Sequence, residues 1–436
     1  MEDNNTIRDK VFSFYAKNRQ RCDRNYMLAE DENIYKIYDD VSSNTEKNSL
    51  FTRTSIVLLT ANKYERNILH KRIHLLTKKN VKRIEIELLT ASDRFNKAYA
   101  YWFEWNDYSI LHIHANMTGS YTIAGSADVT KWILSNKYLY PGIIISFGVC
   151  FGTNENKNEL GDVIIAKKVY PYFIGAKLNG DDLHVVDDNV FAIDSDLYNK
   201  IKDLKNNNVF NKLHFHVYFE NYITGEAVVS SQNERDKYTN ITTQEVYAGE
   251  MEGYGLFKEC KSSKFNVPCM VLKSICDWGT DKNFNENDKN VLIEFSTKIS
   301  QKSSATNDIE EDIKLLKSLK DRIQAFSANC AFDALEVIIN REILDKAMFD
   351  RLRSYILTYK GLATTCKKLR ETTCDIARNL KFGYTLSECF IHRCLMLLEE
   401  EGLIQCDIEC ISDYNEQDNC NQPTRDASIE IKQEKN

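Results

Sequence analysis

Between residues 55 and 300, short apolar runs alternate with stretches of helical spacing. SIVLLT (55–60), RIEIELLT (83–90), YAYWFEW (99–105), YSILHIH (108–114), GDVIIAKKV (161–169), LHFHVYF (213–219) and GEAVVSS (225–231) read as strands. PGIIISFG (141–148) and CMVLKSICD (269–277) are continuous apolar runs of the kind found in strands buried on both faces. Apolar positions recur with helical period over 63–76, 121–136, 193–205 and 252–262. Strands alternating with helices predict a layered α/β domain over 51–302. Beyond 302 the period is helical only, over 308–326, 341–357 and 385–404, and predicts an all-helical interaction or regulatory module at 303–410. The first 50 residues are polar and partly helical, with a linker expected at 42–49. The stretch 411–436 has few core formers and is expected to be disordered.

Composition narrows the class of function. The chain has 436 residues, 43% of them hydrophobic, enough for a large core and more than one unit. A formal net charge of −7 disfavours a generic nucleic-acid binder, though not a local basic pocket. There is no apolar run of membrane-spanning length, and the N-terminal stretch lacks the apolar region of a secretory signal, so no membrane partner and a cytoplasmic location are expected. Thirteen cysteines at irregular spacing then predict free thiols. No P-loop is present.

Four segments carry candidate chemistry: LLTANKYE (58–65), SFGVCFGT (146–153), GEMEGYG (249–255) and LKSICDWGTDKN (272–283). Taken together and in this order, they resemble the purine nucleoside phosphorylase/uridine phosphorylase superfamily over about 51–300. Within it they are most similar to methylthioadenosine/S-adenosylhomocysteine nucleosidases and to nucleosidase domains of immune proteins. The resemblance implies a three-layer phosphorylase-like α/β domain with a mixed central sheet. It implies that Asp277 is the general acid serving the imidazole-ring nitrogen of the purine, that Glu252 binds the ribose hydroxyls beneath the positive sugar, and that Met251 packs on the ribose face. Glu65 matches the glutamate that activates the attacking water. Gly148, Val149, Cys150, Val228, Val229, Glu250 and Lys273 are the expected substrate-binding positions. The turn departs from the family's Gly-Ser-Ala-Gly-Gly, and the bulk of Phe151 alters the pocket. The chemistry agrees with this assignment: breaking an N-glycosidic bond needs a proton for the leaving base and negative charge near an oxocarbenium-like sugar.

The expected reaction is hydrolysis of the base–ribose bond of a purine, adenine first, in a nucleoside or nucleotide, with no cofactor. The phosphate loop of the phosphorylases is missing, which makes phosphorolysis the alternative. A nucleoside-sensing module without catalysis is the second alternative. The chain beyond the catalytic region resembles the architecture of immune effectors that deplete adenine nucleotides such as ATP. The superfamily implies a homo-oligomer, and 303–410 a protein partner. Arg66, Lys157, Lys273 and Lys282 are candidate phosphate contacts. The histidine pairs His112/His114 and His214/His216 have no evident carboxylate partner, and Cys389 and Cys394, on an amphipathic helix with His392, read as small core residues, so no metal site is expected.

Overall fold

A computed structural model describes residues 2–89, 95–106, 108–115, 125–136, 138–139, 141–172, 176–179, 182–185, 190–225, 229–262, 267–279 and 309–339, with short segments at 364–365, 404–406 and 428–431. The expected α/β class is observed. Among the described residues an eleven-stranded mixed sheet forms the centre. Its middle consists of β2 (Ile56–Thr60), β5 (Tyr108–His114), β6 (Ile143–Gly152) and β13 (Cys269–Asp277). β2 runs parallel to β5 and β6, and β6 parallel to β13. β6 and β13 are the runs read as strands buried on both faces, and β2 is also buried along its whole length. Their C-terminal ends lie along one edge, the edge at which open α/β sheets bind ligands.

The sheet is extended on the β5 side by β4 (Phe95–Trp105), β3 (Val81–Leu89) and β1 (Tyr38–Val41). Beyond β6 it continues through β12 (Val246–Glu250), β11 (Val217–Thr224), β7 (Val163–Pro171) and β10 (Phe191–Ala192). β8 (Ala176–Asn179) and β9 (Asp182–Val185) form a separate hairpin. The helices α3 (Lys63–Thr77), α4 (Ser126–Ser135), α5 (Ser195–Asn206) and α7 (Gly253–Ser262) fall on the segments with helical period. α6 (Gln232–Thr239) has no apolar face and was not legible from its pattern. Of the strand expected at 225–231, the described residues Gly225 and Val229 to Ser231 are not in a strand, and 226–228 lie outside the described residues. β11 ends at Thr224, and Val229 turns inward against a small cluster with Phe151 and Tyr172 instead of pairing.

The domain boundaries expected at residues 50 and 303 do not survive packing. α1 (Glu2–Ala29) buries Phe12, Tyr15 and Cys22 in the main core, and its Ala29 carbonyl accepts a hydrogen bond from Asn67 Nδ2 at 2.7 Å. The expected linker at 42–49 is the start of α2 (Asn44–Arg53), whose Phe51 meets Trp132 edge-on at 5.8 Å. α8 (Ile309–Ile339), read as the opening of a separate module, buries Ile323, Ala328, Phe332 and Leu335 in the same core. Phe332 stacks on Trp105 at 5.0 Å, Phe326 meets Phe14 at 5.4 Å, and Ser327 Oγ donates to the Ile275 carbonyl at 2.8 Å. The reason is amphipathicity: an apolar helical stripe must be covered, and these two helices cover one another and the sheet.

The helices expected at 341–357 and 385–404 lie outside the described residues. Three short strands, β14 (Thr364–Thr365), β15 (Ile404–Cys406) and β16 (Ser428–Ile431), pair antiparallel in the order β14-β16-β15. β16 falls inside the stretch expected to be disordered; its Ile429 and Ile431 supply a period-two apolar pattern that a composition average hides. No described helix is long and apolar enough to cross a membrane.

Candidate active site

Glu65 is held by the way its own helix begins. Asn62 and Glu65 form a capping box at the start of α3: Asn62 Oδ1 accepts from the Glu65 amide at 3.0 Å, and Glu65 Oε2 accepts from the Asn62 amide at 3.0 Å. Oε2 also accepts from the Ala61 amide at 2.7 Å, while Oε1 accepts from the Val149 amide at 2.8 Å. Gly148, at φ +151°, makes this possible, because a Cβ there would overlap the Glu65 carboxylate. The side chain is 1% exposed. Burial pushes its carboxyl up to about 7, against Lys273, which favours the charged form, and with Glu252, which adds to the rise. Glu65 is therefore not an exposed helix residue. It is a carboxylate fixed at both oxygens, with a proton affinity near neutrality.

Lys273 lies at the centre of β13, fully buried, and pairs with both Glu252 and Glu250; its Nζ is 3.3 Å from Glu250 Oε2 and closer to Glu252. Burial opposes its charge, but Glu252, Glu250 and Glu65 outweigh it and hold the ammonium above the ordinary lysine range. Glu250 caps the turn into α7, accepting from the Glu252 amide at 2.8 Å and the Gly253 amide at 2.9 Å. Burial raises its carboxyl above the usual range, with Lys273 opposing. The backbone of Glu252 is fixed in turn by Ser126, whose Oγ donates to its carbonyl at 2.5 Å from the first turn of α4. Three carboxyl groups thus surround one ammonium.

Asp277 ends β13 after a bulge between Ile275 and Asp277. Its Oδ1 accepts from the Gly279 amide at 2.7 Å, and the Cys276 thiol lies 3.5 Å from Oδ2. It is half-buried at the edge where β6 and β13 finish. Cys150 is buried beside it on β6, with its sulfur 3.8 Å from the Tyr222 hydroxyl. Burial pushes the thiol well up, and Lys273, Glu250 and Asp277 all act on it, so these groups converge on one region. Phe151 is the register partner of Asp277, and its ring lies against Gly279. The ring also lies over Gly249, where no Cβ would fit, and joins Val229 in the neighbouring apolar cluster. Met251 is half-buried in the turn between Glu250 and Glu252. Val228 lies outside the described residues.

The family model for the phosphorylase superfamily matches residues 124–306, the stretch that supplies Gly148 to Cys150, Glu250 to Glu252, Lys273 and Asp277. The solved structures similar to this chain include 5'-methylthioadenosine/S-adenosylhomocysteine nucleosidase from Neisseria meningitidis in complex with methylthio-immucillin-A, at 16% identity and a TM-score of 0.44, covering 66% of this chain and 99% of that one. The native futalosine hydrolase of Helicobacter pylori is similar at 18% identity and a TM-score of 0.39, over 62% of this chain and 98% of that one. The 5'-methylthioadenosine/S-adenosylhomocysteine nucleosidase of the same organism, with butyl-thio-DADMe-Immucillin-A, is similar at 18% identity and a TM-score of 0.40, over 62% and 98%. No curated protein matches the chain.

Several supporting residues carry no catalytic motif. Asn62 was detectable, since Asn-x-x-Glu before a helical run is a capping-box signature. Ser126 and Thr224, whose Oγ1 accepts from the Tyr254 amide at 3.3 Å, have no local signal, because their partners are far away in sequence. The same is true of Arg235. It is 4% exposed and clamps the site's edge by donating to the Trp278 carbonyl at 3.2 Å and to Glu155 at 3.1 Å.

Proposed function

We propose that the protein is an N-glycosidase that hydrolyses the base–ribose bond of a purine nucleoside or nucleotide, adenine being the base expected from the resemblance. The observation that carries the reading is the buried Glu65–Lys273–Glu252 cluster, set one strand-end away from Asp277. In the reaction the bond between the anomeric carbon and the base breaks, the electron pair leaves with the base, and Asp277 gives the base a proton. The sugar becomes cationic, and the Glu252 side chain stabilises that charge. Water adds to the anomeric carbon and passes a proton to Glu65, whose affinity near neutrality suits a general base. Lys273 pairs with Glu252 and holds its carboxylate in place. Glu250, which is engaged by backbone amides and Lys273, is a positioning residue.

The same geometry favours water over inorganic phosphate. The Val149 amide, which would otherwise be available to an anion, already donates to Glu65. A dianionic nucleophile would enter a cluster with three carboxylates and one ammonium and meet repulsion. A role in depleting adenine nucleotides as an immune effector belongs to the same proposal and rests on the extra C-terminal chain. The test is free base released from adenosine, its 5′-nucleotides, methylthioadenosine and guanosine, with and without phosphate. Release without phosphate is expected, lowered about 10²–10⁴-fold in Asp277→Asn, as for loss of a general acid. Release that requires phosphate would replace hydrolysis by phosphorolysis.

A further inference from the structure

Beside the carboxylate cluster lies a second polar construction that the proposed reaction does not use. The Tyr38 hydroxyl is 2.8 Å from His70 Nδ1, His70 Nε2 is 2.9 Å from His112 Nδ1, and His112 Nε2 is 2.8 Å from Thr60 Oγ1. Thr60 Oγ1 is in turn 3.0 Å from His114 Nδ1. Five side chains therefore form one unbroken hydrogen-bonded chain from β1 to the ends of β2 and β5. His70, His112 and Thr60 are buried, and His114 is half-buried at its end.

The chain determines what His114 presents. Burial first, with the nearby Arg66 guanidinium, holds His114 down to about 4, and both His70 and His112 lie well below the ordinary histidine range. All three rings are neutral at physiological pH, so each has one N–H. Burial keeps the Tyr38 phenol protonated. If it donates to His70 Nδ1, every later bond runs the same way: His70 Nε2–H to His112, His112 Nε2–H to Thr60, and the Thr60 hydroxyl to His114 Nδ1. His114 is then left with its proton on Nε2, a donor at the strand end.

Arg66 is near enough to act electrostatically on that ring. It follows Glu65 directly and lies one helical turn before His70 on α3. Its half-buried guanidinium acts electrostatically on Tyr38, His70, His112 and His114. Its Nε donates to Asn67 Oδ1 at 3.0 Å, and no ion pair to a carboxylate is formed among the described residues. His114 and the Gly148–Val149 turn belong to strands two apart in the sheet, about 10 Å at ordinary strand spacing. The order along the edge is thus Asp277 on β13, the Glu65 and Val149 pair above β6 and β2, and His114 with Arg66 at β5. If the base sits at Asp277 and the sugar at Glu65, the far end of the substrate extends toward β5.

We infer that Arg66 and the Nε2–H of His114 form a subsite for the 5′-phosphate of a nucleotide, with the Tyr38–His70–His112–Thr60 chain setting His114 as a donor. The inference rests on the N-glycosidase reading and names its substrate class. A planar guanidinium paired with a neutral N–H donor suits phosphate oxygens, and on this reading the phosphate is held apart from the carboxylates that stabilise the sugar.

The test measures kcat/KM for base release from adenosine and adenosine 5′-monophosphate, and from guanosine and its 5′-monophosphate. The expected result is a monophosphate preference in the natural chain. The monophosphate-to-nucleoside ratio should fall roughly 10–100-fold in Arg66→Gln, the scale of one charge-assisted contact, and recover in part in Arg66→Lys. In Thr60→Val, which removes the link that orients His114, the ratio should fall severalfold. An unchanged ratio in Arg66→Gln overturns the subsite, and an unchanged ratio in Thr60→Val overturns the part assigned to the chain. If none of the four compounds releases base, the glycosidase reading fails, and the same compounds are titrated calorimetrically against the natural chain and Arg66→Gln. A monophosphate preference in affinity that falls with the substitution then sustains the subsite, and equal affinities or no binding overturn it.

Discussion

At the scale of single residues the site depends on Glu65, and its carboxyl affinity of about 7 makes two separable predictions. In the proposed role of base it works only when deprotonated. The kcat/KM for base release should therefore rise with pH up to a bend near 7 and level off above it, and this bend should vanish in Glu65→Gln. The sign for stability is opposite. A carboxyl raised from 4.5 to about 7 on folding binds its proton more tightly in the native state. Its favourable contribution is complete below the unfolded value and is lost as pH rises through the folded one. Between pH 5 and 8 the natural chain should lose about 2–3 kcal/mol more than Glu65→Gln does. Denaturation across that range measures it, and parallel pH profiles would contradict the assignment. Gly148→Ala should also inactivate the protein, because the new methyl would occupy the place of the Glu65 carboxylate at a φ that disfavours a side chain. Assay of base release alongside a melting curve separates loss of the site from loss of the fold.

Among elements, α8 and α1 decide whether the sheet has a complete core. A chain ending at Lys302 keeps every proposed site residue yet lacks Ile323, Phe326, Phe332 and Leu335 and the cover they give β6 and β13. It should fail to fold, whereas a chain ending just after Ile339 should remain folded; circular dichroism and solubility distinguish them. Phe332→Ala tests the same contact within the full chain. Phe332 is fully buried, stacked on Trp105 and capped by the Arg72 guanidinium at 4.5 Å. Truncation should cost about 3–5 kcal/mol, as for other buried aromatics. A loss below 1 kcal/mol would show that α8 is peripheral.

For the whole molecule, the chain from α1 to α8 forms one core around one sheet edge, with further chain after α8. The resemblance to an oligomeric superfamily predicts assembly of more than one chain. Analytical ultracentrifugation of the full protein should give a multiple of the chain mass, and a single-chain mass at working concentration would remove that expectation.

The apolar periods along 55–277 determined most of the strands and helices, since a strand or helix must keep its own apolar positions on one side whatever its neighbours are. The order of the four motif segments was also readable, and the capping box at Asn62 and Glu65 is a purely local signal. Burial of Glu65, pairing of Lys273 with two glutamates, and the chain from Tyr38 to His114 were decided by tertiary structure alone. Each depends on side chains brought together from distant strands, and a carboxylate or imidazole has the same local pattern whether its partner is water or another buried group. The same holds for α1 and α8. Their amphipathic stripes showed that each must be covered, but only the folded sheet supplied the surface that covers them, because burial of an apolar face depends on what stands opposite it in space rather than next to it in sequence.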